Sequence, residues 1–220
     1  MPARHDTFRV RPASLAVALL LAGAADTHAE PPDAAAWQRL RQGEVLVESI
    51  NTTGSGGSVR VSALMYVDVQ TLWTYIASCT AVFEYVDGMR ECELLEVRTE
   101  PGADVSTVRQ VVDKGWLVPR LEFTMEVRRE PWVSVEFHLL EGDLEAMQGW
   151  WRFEPQPEGA LLVTHQILLQ PRLPAPRWLI RRTMRKDLPD MLACLRGLTG
   201  GSAELQQEAD LARCPHNERG

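Results

Sequence analysis

Between Met89 and Pro171 the chain alternates apolar and polar residues with a period of two, in blocks of strand length. The blocks MRECELLEVRTE, VSTVRQVVDKGW, PRLEFTMEVRRE, WVSVEFHLLEGD, EAMQGWWRFEP and ALLVTHQILLQP are separated by proline, glycine and acidic turn residues, the pattern of an antiparallel meander. Leu121, Phe123, Met125 and Val127 form one apolar row, and Val133, Val135, Phe137 and Leu139 the next. Their alternates Glu122, Thr124, Glu126, Ser134, Glu136 and His138 place the other face of the sheet in water. Before the meander, GEVLVESI and VRVSALMYV read as two strands joined by the flexible turn NTTGSGGS.

Two stretches change period. After Asp68, a plausible N-cap, Val69, Leu72, Trp73 and Ile76 recur at helical spacing and predict one helix followed by a shorter one. After RLPAP, where Pro174 and Pro176 end a strand, a helix is predicted from Trp178 to about Leu198. Met184, Leu188, Met191, Leu192 and Leu195 form its apolar stripe, which must bury itself against the sheet. Pro189 falls inside it and predicts a kink.

The two ends stand apart from this pattern. Arg4, Arg9 and Arg11, the apolar run SLAVALLLAGA and the small residues before Glu30 fit a signal peptide spanning residues 1–29 with cleavage near Ala29. An exported protein, periplasmic or secreted, is the expectation. Residues 30–43 read as a short Pro/Ala lead, residues 44–198 as the domain and residues 199–220 as a polar, loosely held tail. About 190 residues remain after cleavage, one domain's worth. The formal charge of -7 becomes about -8, which is no nucleic-acid footprint.

The four cysteines, Cys79, Cys92, Cys194 and Cys214, have neither CxxC spacing nor a matching histidine pair, so no metal site is expected. In an oxidising compartment, sequence order favours Cys79 with Cys92 and Cys194 with Cys214. Four cysteines allow three connectivities, and buried free thiols are the alternative.

Candidate chemistry is sparse. His165 shares the apolar face of the last strand with Leu161, Val163, Ile167 and Leu169 and is the best acid-base candidate. A lone histidine with no visible orienting partner reads first as a core or cavity-lining group. Glu141 and Asp143 flank Gly142 and read as turn residues, and Asp113 and Lys114 as solvated strand-end residues. There is no phosphate-binding glycine loop with its lysine, no serine elbow and no HExxH.

This order of elements resembles the START-like superfamily called SRPBCC, in particular its polyketide-cyclase and coenzyme-Q-binding branch. The resemblance spans about Glu44 to Leu198. It is carried by VRVSALMYVDVQTLWTYIASCTAVFEYVDGMRECELLE, LLEGDLEAMQGWWRFEP and LLQPRLPAPRWLIRRTMRKDLPDMLACL. Where relatives often carry proline before the first helix, this chain has YVDVQ. The resemblance implies an α+β helix-grip fold, a curved antiparallel sheet wrapped around a long C-terminal helix, with a cavity for an apolar ligand between them. No cofactor follows from it.

In such a fold Phe123, Met125, Phe137, Met147, Gly149, Trp151, Phe153, His165, Trp178, Arg181, Met184 and Leu188 are expected to line the cavity. Gly149 would keep it open by leaving out a side chain, with a β-bulge as the alternative. Binding of a lipid, quinone or other isoprenoid is favoured over catalysis. The alternatives are a cyclase or dehydratase using His165, and an interaction module with a closed core. Arg182, Arg185 and Lys186 on the flank of the last helix's apolar stripe suggest weak contact with an anionic membrane surface, while Arg181, closer to Met184 and Leu188, is expected to reach a ligand headgroup at the cavity mouth; the plainer reading is a solvated basic face.

Overall fold

The computed structural model describes residues 31–50, 56–115, 120–172, 177–203 and 205–216. The expected leader, the turn at 51–55 and the prolines at 174 and 176 lie outside the described residues. The chain runs α1 (Ala34–Arg41), β1 (Leu46–Ile50), β2 (Gly57–Met65), α2 (Val69–Ile76), α3 (Val82–Tyr85) and the strands β3 (Met89–Glu100) and β4 (Ala103–Val112). It continues through β5 (Leu121–Glu130), β6 (Ser134–Gly142), β7 (Leu144–Pro155), β8 (Leu161–Pro171), α4 (Arg177–Leu198) and α5 (Gln207–Leu211).

The eight strands form one curved, unclosed antiparallel sheet in the order β1-β2-β8-β7-β6-β5-β4-β3. β8 returns to pair with β2, so the N-terminal hairpin joins the meander and every interior strand is paired on both sides. This is the helix-grip α+β fold, with α4 lying against the concave face. Helix α4 crosses β2 where Gly57 carries no side chain: a Cβ there would meet Arg181 Cγ at 3.0 Å and Ile180 Cγ2 at 3.3 Å. The helix is continuous through Pro189.

Alternation divides the interior into two layers. Concave-face residues Val59, Val61, Ala63, Trp151, Phe153, Leu161 and Val163 join Leu72, Met184, Leu192 and Leu195 from the helices in the main core. Their convex neighbours Leu64 and Leu162 pack instead with Leu40, Leu46 and Trp37. Helix α1 therefore covers the outside of the sheet, which corrects the reading of residues 30–43 as a mere lead. Asp33 caps it, its side chain accepting from Ala36 N at 2.7 Å.

The C-terminal tail is also tied down rather than loose. Arg196 on α4 and Asp210 on α5 are both buried, and the guanidinium donates from Nε and Nη2 to the two carboxylate oxygens at 2.7 and 2.9 Å. Ser202 Oγ donates to the same carboxylate at 2.6 Å. The disulfide Cys194–Cys214, with Cα atoms 4.8 Å apart, closes the arrangement. Cys79 and Cys92 form the other disulfide, with Cα atoms 5.5 Å apart, between the end of α2 and the start of the meander.

Candidate functional site

Helices α2, α3 and α4 and the concave face of the sheet enclose a cavity of about 990 Å³, at the upper end of the sizes of small-molecule pockets. The apolar rows place its walls: Leu121, Phe123, Met125 and Val127 from β5, Val135 and Phe137 from β6, and Met147 and Trp151 from β7. His165, Ile167 and Leu169 follow from β8, and Ile180, Met184, Leu188 and Met191 from α4. The cavity extends to the β3 edge, where Leu94 and Val97 line it and are half-exposed.

Eight of the expected lining residues meet here: Phe123, Met125, Phe137, Met147, Trp151, His165, Met184 and Leu188. Four do not. Phe153 is buried beside Trp73, ring edge to face at 5.8 Å. Trp178 and Arg181 lie on a surface cleft with Ser49, Arg182, Arg185 and Lys186.

Gly149 does not hold space open. A Cβ there would meet Gln166 O at 2.4 Å and Phe137 Cζ at 2.5 Å, so the Phe137 ring occupies the gap in the row. Nor is Gly149 a bulge, since pairing with β6 and β8 runs unbroken through it and the irregularity of β7 falls between Leu144 and Ala146. The glycine is there because a backbone carbonyl and an aromatic ring approach it closely. Gly149→Ala is therefore expected to cost about 1–3 kcal/mol, read as a lower urea midpoint. A wild-type midpoint would contradict the close approach.

His165 sits opposite Trp151, stacked on it with ring centroids 4.0 Å apart. Its Nδ1 is 3.0 Å from Trp150 O. A carbonyl only accepts, so Nδ1 carries the proton and Nε2 is a free acceptor, with no hydrogen-bond partner among the described residues. Burial pushes the His165 pKa down to about 4, with the bond to Trp150 opposing the shift. The imidazole is neutral at pH 7 and a weak base.

Strand register sets one transverse row across the cavity floor, polar towards its two ends and apolar between them. Asp104 faces Arg129, Arg129 faces Val135, Val135 faces Trp151 and Trp151 faces His165. Arg129 and His165 are three strands apart, roughly 14 Å between backbones at the usual strand spacing. Arg129 donates from Nη1 to Ser106 Oγ, while its buried Nε has no hydrogen-bond partner among the described residues. Burial lowers the pKa of this arginine, with Tyr85 and Asp104 opposing the shift. Among the described residues no carboxylate forms an ion pair with it.

A model of the family described as polyketide cyclase / dehydrase and lipid transport matches residues 65–196, more than half of the 220 residues. The chain belongs to that family. No curated protein sequence matches it. Among solved structures it is similar in fold to a STAR-related lipid transfer protein from Xanthomonas axonopodis, at TM-score 0.59 and 15% identity over 71% of this chain and 93% of that one. It is also similar to the Zhui aromatase/cyclase from Streptomyces sp. R1128, at TM-score 0.52 and 14% identity over 64% and 95% of the two chains. Human STARD10 matches at TM-score 0.53 and 9% identity, over 83% of this chain and 86% of that one.

Within this START-like domain, Arg129, Ser106 and Gln110 are polar lining residues that sequence reading missed. Arg129 was within reach: the row Leu121, Phe123, Met125, Val127 continues at the next alternate position to Arg129. Ser106 and Gln110 on β4 line the cavity by the same parity. Lys114, expected to be solvated, instead bridges the rim, pairing with Asp187 of α4 and with Asp87 at 3.2 Å. Asp143 holds the turn expected of it, exchanging hydrogen bonds with the Glu122 backbone at 2.8 Å. Among the described residues no group of three or more His, Cys, Asp or Glu side chains is placed to hold a metal, and no helix is long and apolar enough to cross a membrane.

Proposed function

We propose that this START-like domain is exported and binds an apolar small molecule, a lipid, quinone or other isoprenoid, between the sheet and α4. The observation that carries the reading is the cavity itself: about 990 Å³ lined chiefly by Phe, Met, Leu, Ile, Val and Trp side chains, where a closed core would be packed. The lipid-transfer protein of similar fold supports it. Export is supported by the basic-then-apolar start of the chain and by the two disulfides, which persist in oxidising compartments. Mass spectrometry of an organic extract of the purified protein tests the reading. A copurifying lipid in near-stoichiometric amount is expected; an extract empty of apolar molecules, with no uptake of added lipid, would refute it.

Exposed Trp178 and Leu179 beside Arg181, Arg182, Arg185 and Lys186 suit weak docking to an anionic membrane at the start of α4. Flotation with phosphatidylglycerol vesicles should exceed that with phosphatidylcholine vesicles and weaken with salt; equal flotation would sink the idea.

A second reading, a cyclase or dehydrase, rests on the free Nε2 of His165 inside the cavity. Its low basicity, and the absence of an acidic partner beside it among the described residues, favour binding. Turnover of a polyketide-like substrate lost in His165→Ala would reverse that preference.

A further inference from the structure

The apolar walls explain why a greasy molecule would enter, and leave Arg129 without a purpose. A guanidinium offers five N–H donors. Among the described residues one hydrogen bond, to Ser106, is made, and Nε is shut off from water with no acceptor. Asp104 faces Arg129 in register, yet it is exposed, forms no ion pair with it and shares an oxygen with Thr99. Tyr85, buried nearby, turns its hydroxyl toward Tyr75 O at 3.5 Å. Holding a half-buried cation with no ion-pair partner among the described residues is costly, and a protein that serves only to fold gains nothing from it.

We propose that Arg129 is the receptor for an anionic headgroup, so that the ligand is an acidic amphiphile, a carboxylate or a phosphate on a long apolar body, bound with its charge inward. The inference rests on the apolar-ligand reading and adds its substrate class. The planar fork of arginine suits either anion, which both accept paired N–H bonds. The apolar body would lie across Val135 and Trp151, the next members of the same cross-strand row. At the far end of that row, neutral His165 offers an acceptor and no charge, so the row is polarised with its cation at one end.

The test uses cis-parinaric acid and its methyl ester, whose fluorescence reports transfer into an apolar site. The wild-type protein should bind the acid about tenfold or more tightly than the ester at pH 7.5, as expected when a charge-assisted hydrogen bond is gained. Arg129→Met should bind the two alike without a lower melting midpoint, because the orphaned charge is gone. Arg129→Lys, which keeps the charge, should retain part of the preference. Competition then names the anion: dodecanoate displacing better than dodecyl phosphate assigns a carboxylate, and the reverse a phosphate. Dodecanol displacing as well as either, equal binding of acid and ester by the wild type, or an unchanged preference in Arg129→Met would overturn the role of Arg129. Binding of neither probe would overturn the apolar-ligand reading with it.

Discussion

Asp210→Asn is expected to cost the fold about 3–5 kcal/mol, the usual effect of stripping one partner from a buried ion pair. Arg196 and Asp210 are each 2% exposed, so no water can take the place of the lost carboxylate. The amide would keep one acceptor and turn its NH₂ toward the guanidinium, leaving a full positive charge shut in between α4, α5 and β2. Nη1 has only a long contact to Leu64 O at 3.4 Å in reserve. Urea unfolding with both disulfides intact measures the loss. The joint replacement Arg196→Met with Asp210→Leu should recover most of it, because the charge leaves with its partner. A single substitution costing under about 1 kcal/mol would mean that the pair is solvated, contrary to its burial.

The second large effect is a pH dependence centred on His165. Its folded pKa of about 4 lies below the unfolded value near 6.5. Above pH 6.5 the imidazole is neutral in both states and its burial costs nothing extra. Between pH 6.5 and 4 the unfolded chain takes up a proton that the folded chain refuses, so stability falls as pH falls through that window. The full loss, reached below about pH 4, is on the order of 3 kcal/mol. His165→Phe should flatten this limb of the stability profile, measured by urea midpoints from pH 4 to 8. A profile as steep as wild type would assign the acid sensitivity to other groups.

The strands were legible because each is read on two faces: Glu122, Thr124 and Glu126 face water while Phe123, Met125 and Val127 face the interior. Helix α1 was missed because its eight residues hold only Trp37 and Leu40 as large apolar contacts, too few to set a period. The fastening of the tail was hidden for a different reason. Arg196 and Asp210 are 14 residues apart across a turn, and no local pattern distinguishes a buried pair from two solvated charges.

In the site, alternation gave the walls but not what stands against them. That Phe137 fills the gap at Gly149 depends on the pairing of β6 with β7, which neither strand's own sequence specifies. Arg129 was hidden by an assumption, that an apolar row ends where its first charge appears.

The fastening of the tail bears on how the cavity can open. Leu192 to Arg196 are sealed in the interior and bolted by the disulfide to Cys214 and by the ion pair to Asp210, so the far half of α4 is a clamped beam. The near half carries Ile180, Met184 and Leu188 over the cavity, ends in exposed Trp178, and is latched to the sheet rim by Asp187 and Lys114. Pro189 stands between the halves and, lacking an N–H, leaves the carbonyl of Arg185 without its helical donor. A beam clamped at one end and notched at its middle bends at the notch. Amide exchange should accordingly run faster in residues 178–188 than in 190–198, and the passage of a ligand should leave the clamped half where it is.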